Sequence, residues 1–249
     1  MRRRFFVEDF DASGRSAELR GEQAHHLGRV LRAQAGQLYE LSDGSAVWLG
    51  RVERVTKDAV EFSLVEAVAA QEARLRTTLL LSIVKFDRFE WCLEKATELG
   101  AAEIVPLAAA RSEKTLVAAA AKRAARWEKI LLESAQQARR LRPPMLREMV
   151  RSDQVFAAER RAESLHQNGY KVLLSERPAA PMLKSVWTAG ASERCELAFG
   201  PEGGWTDEEL LAARAAGFIE ASLGSNILRT ETAVIAALAV VNFALAGSD

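Results

Sequence analysis

Leu197-Ala-Phe-Gly-Pro-Glu-Gly-Gly204, followed one helix later by Ala221-Ser-Leu-Gly-Ser-Asn-Ile-Leu-Arg229, reads as two strand, glycine-loop, helix units in close succession. Each opens with an apolar run of strand length and ends where a helical pattern begins. Both loops leave the carboxyl ends of their strands. In an open parallel sheet that edge is where ligands bind, because helix N-termini and loop amides converge there. The pattern therefore predicts an α/β sheet whose two loops share one ligand. Thr206 and Glu209 have the spacing of a capping box. Gly200, Gly203 and Gly204 let the backbone pass close to a ligand or take a positive φ. Neither GxGxxG nor a Walker A sequence is present, which argues against a dinucleotide or triphosphate cradle.

The second loop carries Arg229, Thr230, Glu231 and Thr232 directly ahead of an apolar run from Ala233 to Ala246. The two threonines suit helix capping. A charged Arg beside a buried helix needs a partner or a substrate, so Arg229 and Glu231 form either a polar centre or an internal ion pair. The apolar run is interrupted by Asn242 and is shorter than the ~20 residues a bilayer span needs. It reads as a helix covered by the core and by a partner subunit.

Outward from these loops the alternation continues. Thr78 to Val84 is an apolar run suited to a strand buried on both faces. Asp87 is placed to cap the next helix, where Phe89, Cys92, Leu93, Ala96 and Leu99 recur at helical spacing before Gly100. Ile104 to Leu107 is a strand, Ala118 to Arg140 a long helix, and Lys171 to Ser175 and Phe218 to Leu223 further strands. The first 70 residues differ. Gln37 to Ser42, Ala46 to Val55 and Ala59 to Val65 are β-like runs separated by Asp43-Gly44 and Lys57-Asp58, a hairpin signature. A helix from Glu22 to Arg32 puts His25, Arg29 and Arg32 on one face. The polar stretch from Ala69 to Arg76 reads as the linker between a small barrel, residues 1–70, and the α/β domain, residues 71–249.

Across 249 residues, 34 Lys plus Arg balance 34 Asp plus Glu, so any nucleic-acid footprint is local. The stretch from Arg111 to Arg151 holds eight Arg and three Lys against four Glu. That excess is either a phosphate-gripping surface or the mark of an Arg-rich coding bias. Cys92 and Cys195 form no CxxC pattern, so neither a disulfide framework nor a metal site is expected. The stretch from Met1 to Asp9 offers too short an apolar run for a signal-peptide core, and a cytoplasmic location is expected.

GPEGG after an apolar strand, with LGxxILRTETA opening the last helix, resembles the RsmE family of the SPOUT superfamily. Asp87-Arg-Phe-Glu-Trp91, Lys95-Ala-Thr-Glu-Leu-Gly100, Ile104-Val-Pro-Leu107, Arg111-Ser112 and His26-Leu-Gly-Arg-Val-Leu-Arg32 extend the likeness over nearly the whole chain. Where the family tends to show Glu-Gln-Ser-Gly-Arg, this chain has Gln136-Gln137-Ala138-Arg139-Arg140, so no catalytic role is carried to that first position. The resemblance implies a PUA-like RNA-binding β-barrel followed by a mainly parallel SPOUT sheet with a trefoil knot. It implies a homodimer that uses S-adenosylmethionine to methylate N3 of a uridine in 16S rRNA of the small ribosomal subunit, without a metal or a membrane.

On that footing Leu174, Ser175, Phe199, Gly200, Pro201, Gly203, Gly204, Leu223, Gly224, Ile227, Leu228 and Thr232 are expected to hold the cofactor. Arg229 is expected to polarise the uracil carbonyls. Glu202 or Glu231 is expected to take the N3 proton, the choice staying open. Arg2, Arg4, His25, Arg29, Arg32, Arg111, Arg139 and Arg140 are expected to contact RNA; His25 and His26 are also compatible with a neutral surface role. The alternatives are another SPOUT enzyme acting on tRNA or a ribose hydroxyl, and a non-catalytic RNA-binding assembly factor.

Overall fold

A computed structural model describes residues 3–8, 10–11, 15–70, 75–162, 169–187 and 194–246. It divides into two compact units: 1–72 with 133–143, and 73–132 with 144–249. The chain thus returns to the first unit after most of a helix of the second.

In the first unit the elements are Arg4–Phe6 (β1), Ser16–Arg20 (β2), Gly21–His25 (α1), Leu38–Ser42 (β3), Val47–Val55 (β4) and Ala59–Ala67 (β5). The strands form one mixed sheet in the order β1-β3-β4-β5-β2, with β1 and β3 parallel and the other pairs antiparallel. Alternate residues of these strands, Phe5, Leu19, Leu41, Val60 and Phe62, fill its core together with Leu27. Both hairpins form where expected. The helix from Glu22 to Arg32 does not run as expected: α1 passes into a π turn at His26–Val30, and Arg32 leaves the helix with φ +52°. A π turn holds more residues than an α turn, so the common face of His25, Arg29 and Arg32 is lost, although all three remain exposed.

The expectation that Arg4 contacts RNA is corrected by its burial. Arg4 is 6% exposed, and it donates Nε and Nη2 to Glu40 Oε2 at 3.1 and 2.9 Å. Its Nη1 donates to the Arg139 carbonyl at 2.6 Å. Arg139, held at φ +53°, lies 3.6 Å from Glu40 Oε1. Ser42 Oγ donates to the Leu141 carbonyl at 2.6 Å, and Gln136 Nε2 to Gln23 Oε1 at 2.8 Å. A charge this deeply placed is stable only when paired, and here the pairing ties 133–143 into the first unit.

The second unit alternates Arg76–Ser82 (β6), Phe86–Glu98 (α2), Glu103–Ala108 (β7), Lys114–Ala120 (α3), Ala124–Gln137 (α4, its last turn in the first unit), Met145–Leu146 (β8), Val150–Arg151 (β9), Ser152–Ala162 (α5), Gly169–Leu174 (β10), Leu183–Val186 (α6), Arg194–Phe199 (β11), Asp207–Ala215 (α7), Ile219–Ala221 (β12) and Thr230–Ala246 (α8). The sheet is parallel throughout, in the order β12-β10-β11-β6-β7-β8, with β9 also on β7. Period-2 alternation divides each strand between two cores. Leu79, Leu81, Val172, Leu197 and Phe199 face α2 and α8 through Phe89, Leu93, Val234 and Leu238. Leu80, Leu173 and Ala198 face α5 and α7 through Phe156 and Leu210. Two local expectations change. Asp87 lies in the first turn of α2, where a carboxylate opposes the positive helix end, and Lys85 takes the capping position. The single long helix is divided by a 3₁₀ turn at Ala121–Arg123.

Candidate active site

Leu174, at the end of β10, is level with Phe199 of β11 on one side and Ala221 of β12 on the other. The two glycine loops are therefore not neighbours. β10 lies between them and adds its own loop, Ser175 to Arg177. The three loops line one cavity of about 410 Å³, within the range of small-molecule sites. Leu174, Phe199, Leu223, Ile227 and Leu228 supply apolar wall, and Arg88, Arg111, Glu176, Glu202 and Arg229 supply charge.

The first loop is held by specific contacts. A Cβ on Gly200 would lie 3.0 Å from Trp205 Nε1, whose N–H donates to the Leu174 carbonyl at 3.0 Å. At this position glycine lets the indole bridge β11 to β10. Arg111 Nη1 donates to the carbonyls of Gly203 and Trp205 at 2.9 and 3.2 Å. Gly204 has φ +68° and Gly224, in the other loop, φ +145°, conformations that side chains disfavour. The capping box forms in full: Glu209 N donates to Thr206 Oγ1 at 3.2 Å and Thr206 N to Glu209 Oε2 at 2.9 Å. The other carboxylate oxygen of Glu209 accepts from Ala110 N and Ser152 Oγ at 2.9 and 2.6 Å, which anchors the loop to β7 and α5.

The charged centre differs from the expected Arg229–Glu231 pair. Arg88, in the first turn of α2, donates Nη1 to Glu202 Oε1, and its Nε lies 3.9 Å from Glu231 Oε1. Glu231 is 7% exposed and stands behind the cavity wall; its Oε2 is enclosed without a hydrogen-bond partner among the described residues. Glu202 and Arg229 both line the cavity. Burial, with Glu231 adding to it, pushes the Cys92 thiol up to about 12, so it is no nucleophile at neutral pH.

Every residue expected at the cofactor lines this cavity except Thr232, which is exposed and outside it. Among those expected at RNA, Arg111 lines the cavity, His25, Arg29 and Arg32 are exposed on the first unit, and Arg139 belongs to the Glu40 cluster. Arg140 is half-buried, and that burial pulls its guanidinium down to about 10. Arg2 lies outside the described residues. Sequence reasoning missed Arg88, Glu176, Arg177, Trp205 and Asn226 at the cavity. Arg88 had a signal: it follows the carboxyl end of β6, the same sheet edge as the glycine loops. Among the described residues no cluster of His, Cys, Asp or Glu is placed to hold a metal, and no helix is long and apolar enough to cross a membrane.

Residues 71–242 match the RNA methyltransferase domain family, and residues 19–65 match the RNA methyltransferase PUA domain. The ribosomal RNA small subunit methyltransferase E of Synechocystis is 34% identical over 223 residues, covering 88% of this chain and 70% of that protein. Its Bacillus subtilis counterpart is 30% identical, covering 90% and 88%. The crystal structure of the Neisseria gonorrhoeae enzyme of the same name, bound to S-adenosylmethionine, superposes with a TM-score of 0.86 at 29% identity, covering 98% of both chains. The glycine-loop cavity thus lies in the domain these relatives share, and the chain belongs to the ribosomal RNA small subunit methyltransferase E family of RNA methyltransferases.

Proposed function

We propose that this chain transfers a methyl group from S-adenosylmethionine to N3 of a uridine in 16S rRNA of the small ribosomal subunit. The observation that carries the reading is the convergence of three strand-end loops on one cavity holding a cation, Arg229, and a carboxylate, Glu202. The cavity fits a nucleoside joined to an amino acid: its apolar wall suits adenine, its charges of both signs suit a zwitterion, and its left-handed glycines expose loop amides. When bound, the cofactor supplies a methyl group already activated by its sulfonium. The protein's work is then alignment and exclusion of water. Leu223, Ile227 and Leu228 keep the cavity wall apolar, Arg229 stabilises negative charge developing on the uracil carbonyls, and Glu202 accepts the N3 proton. Glu231, buried behind the wall, is not placed to do so.

N3 lies on the pairing edge, so the uridine must be unpaired or flipped to react. Exposed His25, Arg29 and Arg32 suit contact with the rRNA backbone. A second copy of the chain accounts for the apolar side chains that α8 leaves exposed, Phe243 at 83% and Val240 one turn before it. Phe243→Glu should shift the mass seen by light scattering from dimer to monomer. The trefoil knot and a cytoplasmic location follow from the family likeness. The deciding experiment incubates the protein with labelled S-adenosylmethionine and small ribosomal subunits, then maps the product by reverse transcription, because N3 methylation halts copying. Read-through with no label transferred would leave an assembly factor; label in tRNA or on a ribose would point to another methylation.

A further inference from the structure

Ala110 and Arg111 follow β7, yet both make contacts with the chain that follows β11. β6 lies between those two strands, so the contacts span its end. Ala110 N donates to Glu209 Oε1 in α7 at 2.9 Å. Nη1 of Arg111 carries two N–H bonds, and it donates to the carbonyls of Gly203 and Trp205 at 2.9 and 3.2 Å. Each of those carbonyls shares a planar peptide unit with a held N–H. Gly204 N donates to the Pro201 carbonyl at 2.8 Å, and Thr206 N to Glu209 Oε2 at 2.9 Å. Two peptide units of the first glycine loop are therefore fixed at both ends, and Arg111 supplies one end of each. Its stem also lies along Gly203: a Cβ built there would stand 3.2 Å from Arg111 Cβ and 3.5 Å from its Cδ. Gly203 is outside the left-handed φ range, so its missing side chain answers to this packing and not to backbone strain.

Resting on the function proposed above, we infer that Arg111 is a positioning residue for the cofactor: it locks the turn from Pro201 to Trp205 against the exit of β7, and it does not grip rRNA. Arg88 and Arg177 at the same cavity pair with side chains, Glu202 and Asp207, whereas Arg111 holds main chain. A bond from a charged donor to a carbonyl orients the whole peptide plane, including the N–H on its far side. With the units on either side fixed, the peptide joining Gly204 to Trp205 has its direction set as well, and Glu202, inside the turn, is presented to the cavity. For Nη1 to reach a phosphate it would have to leave both carbonyls, and the turn would lose the clamp that shapes it for the cofactor.

Calorimetry with S-adenosylmethionine and the full-length chain tests the lock. Arg111→Met keeps the stem and removes the donors, and affinity should fall about 10-fold, the lower end for hydrogen bonds from a charged donor. Arg111→Lys should fall as far, because its ammonium ends one bond short of Nη1. A phosphate-gripping arginine would behave differently. Lysine would replace it, and methionine would reduce the salt slope of binding to small ribosomal subunits by about one. That slope should stay at its wild-type value in both variants. In the cofactor-free chain, NMR should show the Gly204 amide of Arg111→Met exchanging with solvent about 10-fold faster, in step with the same lost bonds. The amides of β6 should keep their wild-type protection, which separates a loosened turn from a damaged fold. Gly203→Ala moves the same two carbonyls and should also weaken cofactor binding. Combined with Arg111→Met it should cost less than the product of the single losses, since the bonds it disturbs are already gone. Should Arg111→Met fold poorly, Gly203→Ala carries the test through the same calorimetry and Gly204 exchange. Unchanged cofactor affinity in Arg111→Met, rescue by Arg111→Lys, a reduced salt slope or fully multiplicative losses overturns the lock. A wild type that neither binds S-adenosylmethionine nor methylates small subunits would instead overturn the proposed function.

Discussion

In the first unit two guanidiniums, those of Arg4 and Arg139, surround one carboxylate, Glu40; in the second, one guanidinium, Arg88, stands between two carboxylates, Glu202 and Glu231. The Arg4–Glu40 pair is shielded from water, and Arg4 uses Nε, Nη1 and Nη2. The Arg88 cluster is half-wet and leaves a carboxylate oxygen unmet among the described residues. A satisfied buried cluster has one arrangement and behaves as a fastener. An under-supplied one leaves a buried acceptor whose desolvation is not offset. Charge alone does not separate the two cases; the balance of donors to acceptors does.

The largest expected effect tests the fastener. Glu40→Ala leaves Arg4 buried without its anion and should cost about 3–5 kcal/mol in denaturant unfolding. Arg88→Met, at a part-exposed site, should change stability by less than about 1 kcal/mol. Equal losses in the two variants would erase the distinction between the clusters. Next in size, Arg229→Ala should lower turnover by about 10²–10³-fold, the loss typical of a removed oxyanion donor, with cofactor affinity unchanged. A matching fall in affinity would make Arg229 a binding residue. Smallest, Thr206→Ala removes the hydroxyl of the capping box and should cost about 1 kcal/mol of stability. Calorimetric cofactor affinity should fall with it only if the first loop depends on that cap as well as on Glu209 and Arg111.

Much of the second unit was legible because its physics is local. Apolar runs of strand length, glycines at strand ends and a capping-box spacing all lie within a few residues of one another, and the cavity wall follows from them. The ion pairs were not legible. Arg88 and Glu202 are separated by 114 positions, and Arg4 and Arg139 by 135. Nothing near Arg4 marks it as buried, so a basic start to the chain reads as a surface that grips RNA. β1 and β2 were missed because three and five residues with partly polar composition carry little periodicity. The π turn at His26–Val30 was missed because its residues still alternate as an α-helix would. The resemblance supplied what residue chemistry could not, the methyl donor and the uridine.

The placement of β10 between β11 and β12 also orders events in time. The cavity draws on residues from Arg88 to Ala233, so a chain emerging from the ribosome cannot close it until the start of α8 is free. The hairpins of the first unit pair near neighbours and need only short loops closed, although the fastener at 133–143 arrives later. At a synthesis rate of about 5–20 residues per second, roughly 10–30 seconds separate the β3 to β5 meander from the completed cavity. The cofactor cavity is thereby completed only after the hairpins of the first unit are able to pair.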